Sequence, residues 1–200
     1  MHGKDGSGNR VDGYRCEQVY SPEQDTYLLL EAVLHELSCA DRVLEVGCGS
    51  GEIAARIAEI APVIATDINP HAVIAAAMRG VEVVRTDLYA GICGEFDLVL
   101  FNPPYLPTCE EDRLNDWLEY ALDGGESGRE VIARFIAGVD RVLAPRGRIL
   151  LLASSLTGLE EVQHIFAGHG FLVFIVAARQ VEDETLYVLR GTRDLCRCRA

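Results

Sequence analysis

The sequence predicts a single α/β domain built on a doubly wound, mostly parallel sheet, and three observations carry that expectation. Five apolar, β-branched runs alternate with helix-patterned stretches, as parallel strands covered on both faces do. The first run, Val43-Leu44-Glu45-Val46, passes directly into a glycine loop, Gly47-Cys48-Gly49-Ser50-Gly51. Two further runs close the chain with no helix-length segment between them, so this last pair is expected to be antiparallel.

In chain order, a helix is expected over 22–37, where Leu29, Ala32, Val33 and Leu37 recur at helical spacing. Ser21 suits its N-cap and Pro22 its first position. The strand at 43–46 and its loop lead into a helical pattern over 52–61, a strand over 63–66, and Asn69-Pro70, which repeats the cap signal for a helix over 70–78. Strands follow at 81–85 and 96–101, then Gly128 ahead of a helix over 129–143, and a strand at 148–152. The closing pair is expected at 171–176 and 185–189, joined by the polar stretch Arg179 to Glu184. Residues 1–14 read as a flexible segment, 15–192 as the one domain and 193–200 as a tail.

Composition narrows the chemistry. Two hundred residues, 49% of them hydrophobic, suffice for one buried core and leave no room for a second catalytic module. No apolar run approaches the ~18 residues of a membrane span and the N-terminus lacks a signal peptide's apolar region, so a cytoplasmic protein is expected. A formal charge of −13 disfavours sequence-independent binding to a polyanion and favours basic partners. The single lysine, Lys4, lies in the leader, which removes P-loop, Schiff-base and kinase-type lysines. Cys16, Cys39, Cys48, Cys93, Cys109, Cys196 and Cys198 include no C-x-x-C pair, so neither a metal site nor a disulfide framework is indicated.

Glycines 47, 49 and 51 allow a sharp turn and close approach to a ligand at a helix N-terminus. Asp67, about 20 residues beyond Gly47, is placed to accept the hydroxyls of an adenosine ribose. Asp87, beside Leu88, is placed to accept from an adenine amino group, and Glu45 to reach a ligand ammonium or organise the loop. Asp67 and Asp87 also suit plain turns.

The second motif is Asn102-Pro103-Pro104-Tyr105, at the carboxyl end of the strand over 96–101, where open α/β sheets bind and transform ligands. A planar nitrogen lacks an available lone pair. The Asn102 side-chain oxygen and the Pro103 carbonyl, directed at its two hydrogens, would favour a pyramidal nitrogen, with Tyr105 stacked on the planar group. A rigid turn that merely packs a tyrosine is the plainer reading. Paired with a nucleoside site, the motif suggests methyl transfer to a planar nitrogen.

Five segments together resemble the HemK-like glutamine methyltransferases, in the eukaryotic and archaeal branch that acts on class I release factors. They are Val19 to Leu30, the glycine loop, Thr66 to Pro70, Asn102 to Tyr105 and Gly124 to Val131, in the family's order, and the similarity runs from about Val19 to Leu189. The resemblance implies a class I, Rossmann-like fold of seven strands, S-adenosylmethionine as cofactor, and transfer to the glutamine amide nitrogen of a Gly-Gly-Gln loop. It places Thr26, Glu45, Gly47, Gly49, Gly51, Asp67, Ile68, Asp87, Leu88 and Asn102 around the cofactor, and Asn102, Pro103 and Tyr105 at the acceptor. It also implies a heterodimer with a small zinc-binding activator on an apolar flank, near the edge strand over 81–85. Two departures stand out: the bacterial branch's N-terminal helical domain has no counterpart, and the acidic stretch from Cys109 to Glu119, with Trp117, is either a lid or a solvated helix. An adenine-amine methyltransferase of DNA or RNA would show the same motif, but acidity and the lack of a basic, base-flipping region oppose it. A non-catalytic cofactor-binding protein is the remaining alternative.

Overall fold

The computed structural model describes residues 14–108 and 116–193. The leader before Tyr14, the stretch 109–115 with Cys109, and the end of the tail with Cys196 and Cys198 lie outside the described residues. Among the described residues seven strands form one sheet: β1 (Val43–Val46), β2 (Val63–Asp67), β3 (Val83–Arg85), β4 (Phe96–Phe101), β5 (Leu143–Ser154), β6 (Phe171–Gln180) and β7 (Thr185–Arg193), in the order β3-β2-β1-β4-β5-β7-β6. The first five are parallel. β7 runs antiparallel to both β5 and β6, as the missing crossover required.

Helices cover both faces: α1 (Gln24–Glu36), α2 (Glu52–Ala58) and α3 (Pro70–Met78) on one, α4 (Glu130–Gly138) and α5 (Leu159–Gly168) on the other. Alternation divides the strands between two cores. Val43, Leu98, Leu100 and Leu150 pack against Leu29 and Val33 of α1, while Leu44, Val99, Phe101 and Leu151 pack against Ile132 and Phe135 of α4. Because both faces are covered, the central strands read as continuous apolar runs. Glu45 shares a face with Val43, which puts a carboxylate inside the first of these cores.

Several boundaries differ from the sequence expectation for identifiable reasons. α1 starts at Gln24, not Pro22, with Glu23 in place of Ser21 at the N-cap position. The Tyr20 hydroxyl reaches Asp25 in the first turn at 3.2 Å, which ties Ser21 and Pro22 into a lead-in rather than a helix. The helix expected over 129–143 stops at Gly138, passes through a 3-10 turn (Val139–Arg141), and yields to β5, already paired at Leu143 with Phe96. A register shift between Phe96 and Leu98 takes up the residues before Arg148. β3 is shorter than expected because the Val81 N–H donates to the Ala76 carbonyl at the end of α3. The Asn69 cap is as expected: its side chain accepts from the His71 N–H at 2.8 Å and Pro70 opens the helix.

α1 crosses one face from the carboxyl ends of the strands, where Asp25 lies, to their opposite ends. There Arg148 donates to Glu36 and Asp41, at 3.3 and 2.9 Å. Burial opposes ionisation of Asp41, yet the Arg148 guanidinium and the Ser38 N–H hold its carboxyl below the ordinary value. This clamp fixes the far end of α1 and so fixes what its first turn presents to the site.

Candidate active site

A cleft of about 790 Å³ opens over the carboxyl ends of β1, β2 and β4, and it is lined by both sequence motifs. Its first wall is the glycine loop. Gly47, Gly49 and Gly51 all have left-handed φ values, of 66°, 53° and 77°. At Gly51 a Cβ would lie 2.7 Å from the Ala76 Cα, so that glycine lets α2 and α3 pack closely. At Gly49 a Cβ would meet no protein atom within 4 Å, so that glycine leaves open space.

Asp67 ties this loop to β2. Its two oxygens accept from the Gly49 and Asn69 N–H groups, each at 2.8 Å, and each oxygen keeps a further lone pair for a ligand hydroxyl. Burial raises its carboxyl, and these N–H donors pull it partly back. Glu45 is more deeply placed. Desolvation pushes its carboxyl well above the ordinary value, the Ala54 amide opposes that, and Oε2 has no hydrogen-bond partner among the described residues. Leu88 has a left-handed φ of 52°, rare for a leucine, and the Thr66 hydroxyl donates to its carbonyl at 2.7 Å. Asp87 forms an exposed 2.5 Å ion pair with Arg134 at the rim, and Ile68 stands 38% exposed there.

The second wall holds Asn102, Pro103 and Tyr105. Asn102 donates through Nδ2 to Asp25 Oδ2 at 3.1 Å, while its Oδ1 is buried without a partner among the described residues. The Tyr105 hydroxyl is hydrogen-bonded to Glu184, a residue of the β6–β7 turn, and Glu184 also accepts from the buried Ser154 hydroxyl. Burial first, then the charges of Asp25 and Glu184, push Tyr105 above the ordinary tyrosine range. Tyr20 is raised for the same kinds of reason, so both phenols stay protonated. Thr26 lines the cleft but gives its hydroxyl to Asp25 Oδ1 at 3.1 Å.

A strap holds this wall in place. Leu106 pairs with Asp123, and the Gly128 φ of 70° brings its backbone so close that a Cβ would lie 2.5 Å from the Tyr105 carbonyl. The motif from Gly124 to Val131 thus supports the Tyr105 loop, and through Gly125, Glu130 and Val131 it also lines the cleft. The described part of the acidic stretch is a turn and a 3-10 helix (Glu119–Ala121). The Trp117 N–H donates to Gln18 at 2.9 Å, and its ring lies under the Arg85 guanidinium at 5.7 Å. Gln18 in turn accepts from Asn69 at 2.7 Å, so this segment is packed onto the cleft rim beside Asn69.

The chain and its fold have close counterparts. The methyltransferase small domain family matches residues 19–115. The chain is 37% identical over 184 residues, 88% of its length and 92% of the other's, to a Methanocaldococcus jannaschii protein assigned as a protein N5-glutamine methyltransferase. It is 35% identical over 210 residues to Homo sapiens methyltransferase HEMK2, covering 96% of this chain and 95% of that one. The chain belongs to the HemK-like glutamine methyltransferases. Within the family it falls in the eukaryotic and archaeal branch. The solved E. cuniculi Mtq2–Trm112 complex, described as responsible for methylation of the eRF1 translation termination factor, superposes with a TM-score of 0.75 at 32% identity. That match covers 88% of this chain and 99% of that one.

The protein is therefore an S-adenosylmethionine-dependent methyltransferase of class I fold, and its residues fit the cofactor. An open cradle at Gly49, hydroxyl acceptors at Asp67 and an unpartnered, buried carboxyl oxygen on Glu45 are what a nucleoside carrying an ammonium group needs. Asp25, Glu184 and Arg134 are cleft residues that the sequence reading did not assign. Asp25 in a helix's first turn carries an ordinary dipole-complementing signal, and Glu184 reaches the cleft only through the hairpin's register.

Proposed function

We infer that this enzyme methylates the side-chain amide nitrogen of the glutamine in the Gly-Gly-Gln loop of a class I release factor. In this reading it acts in the cytoplasm as a heterodimer with a small zinc-binding activator. The observation that carries the reading is the buried, partnerless Asn102 Oδ1 at the cleft wall, an acceptor awaiting an N–H donor. S-adenosylmethionine, when bound, supplies a methyl group already activated on sulfonium, so the protein's task is alignment more than acid or metal catalysis.

Asn102 Oδ1 and the Pro103 carbonyl accept from the two amide hydrogens, and proline limits how far the second can move. Holding both hydrogens out of plane stabilises a nitrogen whose lone pair is free to attack. Tyr105, kept neutral by its surroundings and steadied by Glu184, offers its ring to the flat amide. The relatives' named activities and the acidic character of the chain support a protein acceptor over nucleic acid.

The test is transfer of labelled methyl to wild-type release factor, its Gly-Gly-Gln glutamine-to-alanine variant, and adenine-rich DNA and RNA, with and without the activator. Label confined to the wild-type factor is expected; label on nucleic acid alone would overturn the acceptor. Asn102→Ala should lower kcat by roughly 100-fold or more while cofactor affinity stays within a few-fold of wild type. A matching loss of cofactor binding would make Asn102 structural.

A further inference from the structure

Four donors converge on one buried carboxylate in the first turn of α1. Asp25 Oδ1 accepts from the Thr26 N–H at 2.5 Å and the Thr26 hydroxyl at 3.1 Å. Asp25 Oδ2 accepts from the Tyr20 hydroxyl at 3.2 Å and from Asn102 Nδ2 at 3.1 Å. A set of donors alone suits a carboxylate that only accepts. Facing it, Asn102 turns its nitrogen to Asp25 and leaves Oδ1 buried in the cleft wall with no partner among the described residues. An asparagine that must accept has an equally shaped alternative, flipped, in which it presents N–H donors to the substrate's N–H donors. Something has to forbid that flip.

We propose that Asp25 is the positioning residue that locks the Asn102 amide with its oxygen toward the acceptor nitrogen and so sets the polarity of the acceptor site. It acts through Asn102 and needs no contact with substrate. The inference rests on the reading that Asn102 accepts from the substrate nitrogen. Asp25→Asn tests the polarity directly, because the change is nearly isosteric. Oδ1 must remain an acceptor for the two Thr26 donors, so the new amide turns its nitrogen toward Asn102. Asn102 then flips to offer its oxygen inward and its N–H groups to the substrate.

The experiment uses the wild-type enzyme with its activator and release factor, with the glutamine-to-alanine factor as the blank, so failure of the acceptor assignment shows before any variant is read. Given wild-type glutamine methylation, Asp25→Asn should lower kcat by about 10- to 100-fold with cofactor affinity within about twofold. The swap Asp25→Asn with Asn102→Asp should restore at least about tenfold over either single change, since Asn at 25 then donates to Asp at 102, which still offers an oxygen to the acceptor. An Asp25→Asn enzyme with wild-type kcat, a loss confined to cofactor binding, or a swap no more active than the single variants would overturn the proposal. A readout independent of the variants' folding is the Asn102 side-chain NH₂ signal of ¹⁵N-labelled wild type, assigned by its absence in Asn102→Ala. Two well-separated, slowly exchanging protons support the lock, and a freely rotating, fast-exchanging amide contradicts it.

Discussion

Glu45 and Asn102 each hold a buried oxygen with no partner among the described residues, and the two lie on the walls of one cleft. A buried polar atom left unpaired costs roughly 1–3 kcal/mol, so in the proposed reading both residues are places where folding stability is given up for ligand chemistry. Glu45 gives this a pH signature. Its folded value is raised above the ordinary 4.5 by desolvation, so above 4.5 the unfolded chain releases a proton that the fold retains. The ligand-free protein should therefore lose stability as pH rises from that point toward Glu45's own value, and Asp67 contributes with the same sign. In urea unfolding of the ligand-free protein, Glu45→Gln should gain on wild type as pH increases through this window; parallel curves would show that Glu45 ionises freely. A glutamate inside an apolar strand, like an asparagine before two prolines, stands out in sequence because its neighbours are so different. Asp25 does not, because an acid in a helix's first turn is expected on dipole grounds alone, and its bond to Asn102 spans 77 positions.

At the scale of elements, the glycine loop joins two different constraints. Gly51 allows α2 to approach α3, whereas Gly49 borders open cleft. Alanine at either position strains a left-handed backbone by about 1–2 kcal/mol. Gly51→Ala adds overlap with Ala76, roughly 1–3 kcal/mol more, so it should unfold at clearly lower denaturant. Gly49→Ala should cost only the first amount and yet lose most cofactor affinity, because its methyl enters the cradle. Calorimetric titration beside urea melts separates the two, and equal stability losses would refute the assignment. The glycines themselves were plain in sequence, but which one packs and which one opens depends on helix placement. Element boundaries have the same limit. α1 begins two residues late because Tyr20 binds Asp25, and β5 begins early because Leu143 finds Phe96 across the sheet. Both are long-range choices that periodicity does not record.

For the whole molecule, the order of strands leaves β3 and β6 as the two edges, and a sheet edge with exposed apolar side chains invites a partner. β3 is three residues long, with Val84 41% exposed and the half-buried Trp117 beside it under Arg85. β6 is longer and exposes Leu172, Phe174, Ile175 and Val176, with the Arg190 guanidinium lying 5.7 Å over the Phe174 ring. If the proposed activator seats on β3, it touches the same rim that Gln18, Asn69 and Trp117 assemble beside the cleft, and binding there would steady the site. A partner on β6 would reach the site through Glu184 at the hairpin turn. Val84→Asp should then weaken the heterodimer by about 100-fold or more, as loss of a central apolar contact does, while Phe174→Ser leaves it intact. Titration of the activator against each variant decides between the edges: a heterodimer that survives Val84→Asp and fails with Phe174→Ser would move the partner to β6 and leave β3 an uncovered edge.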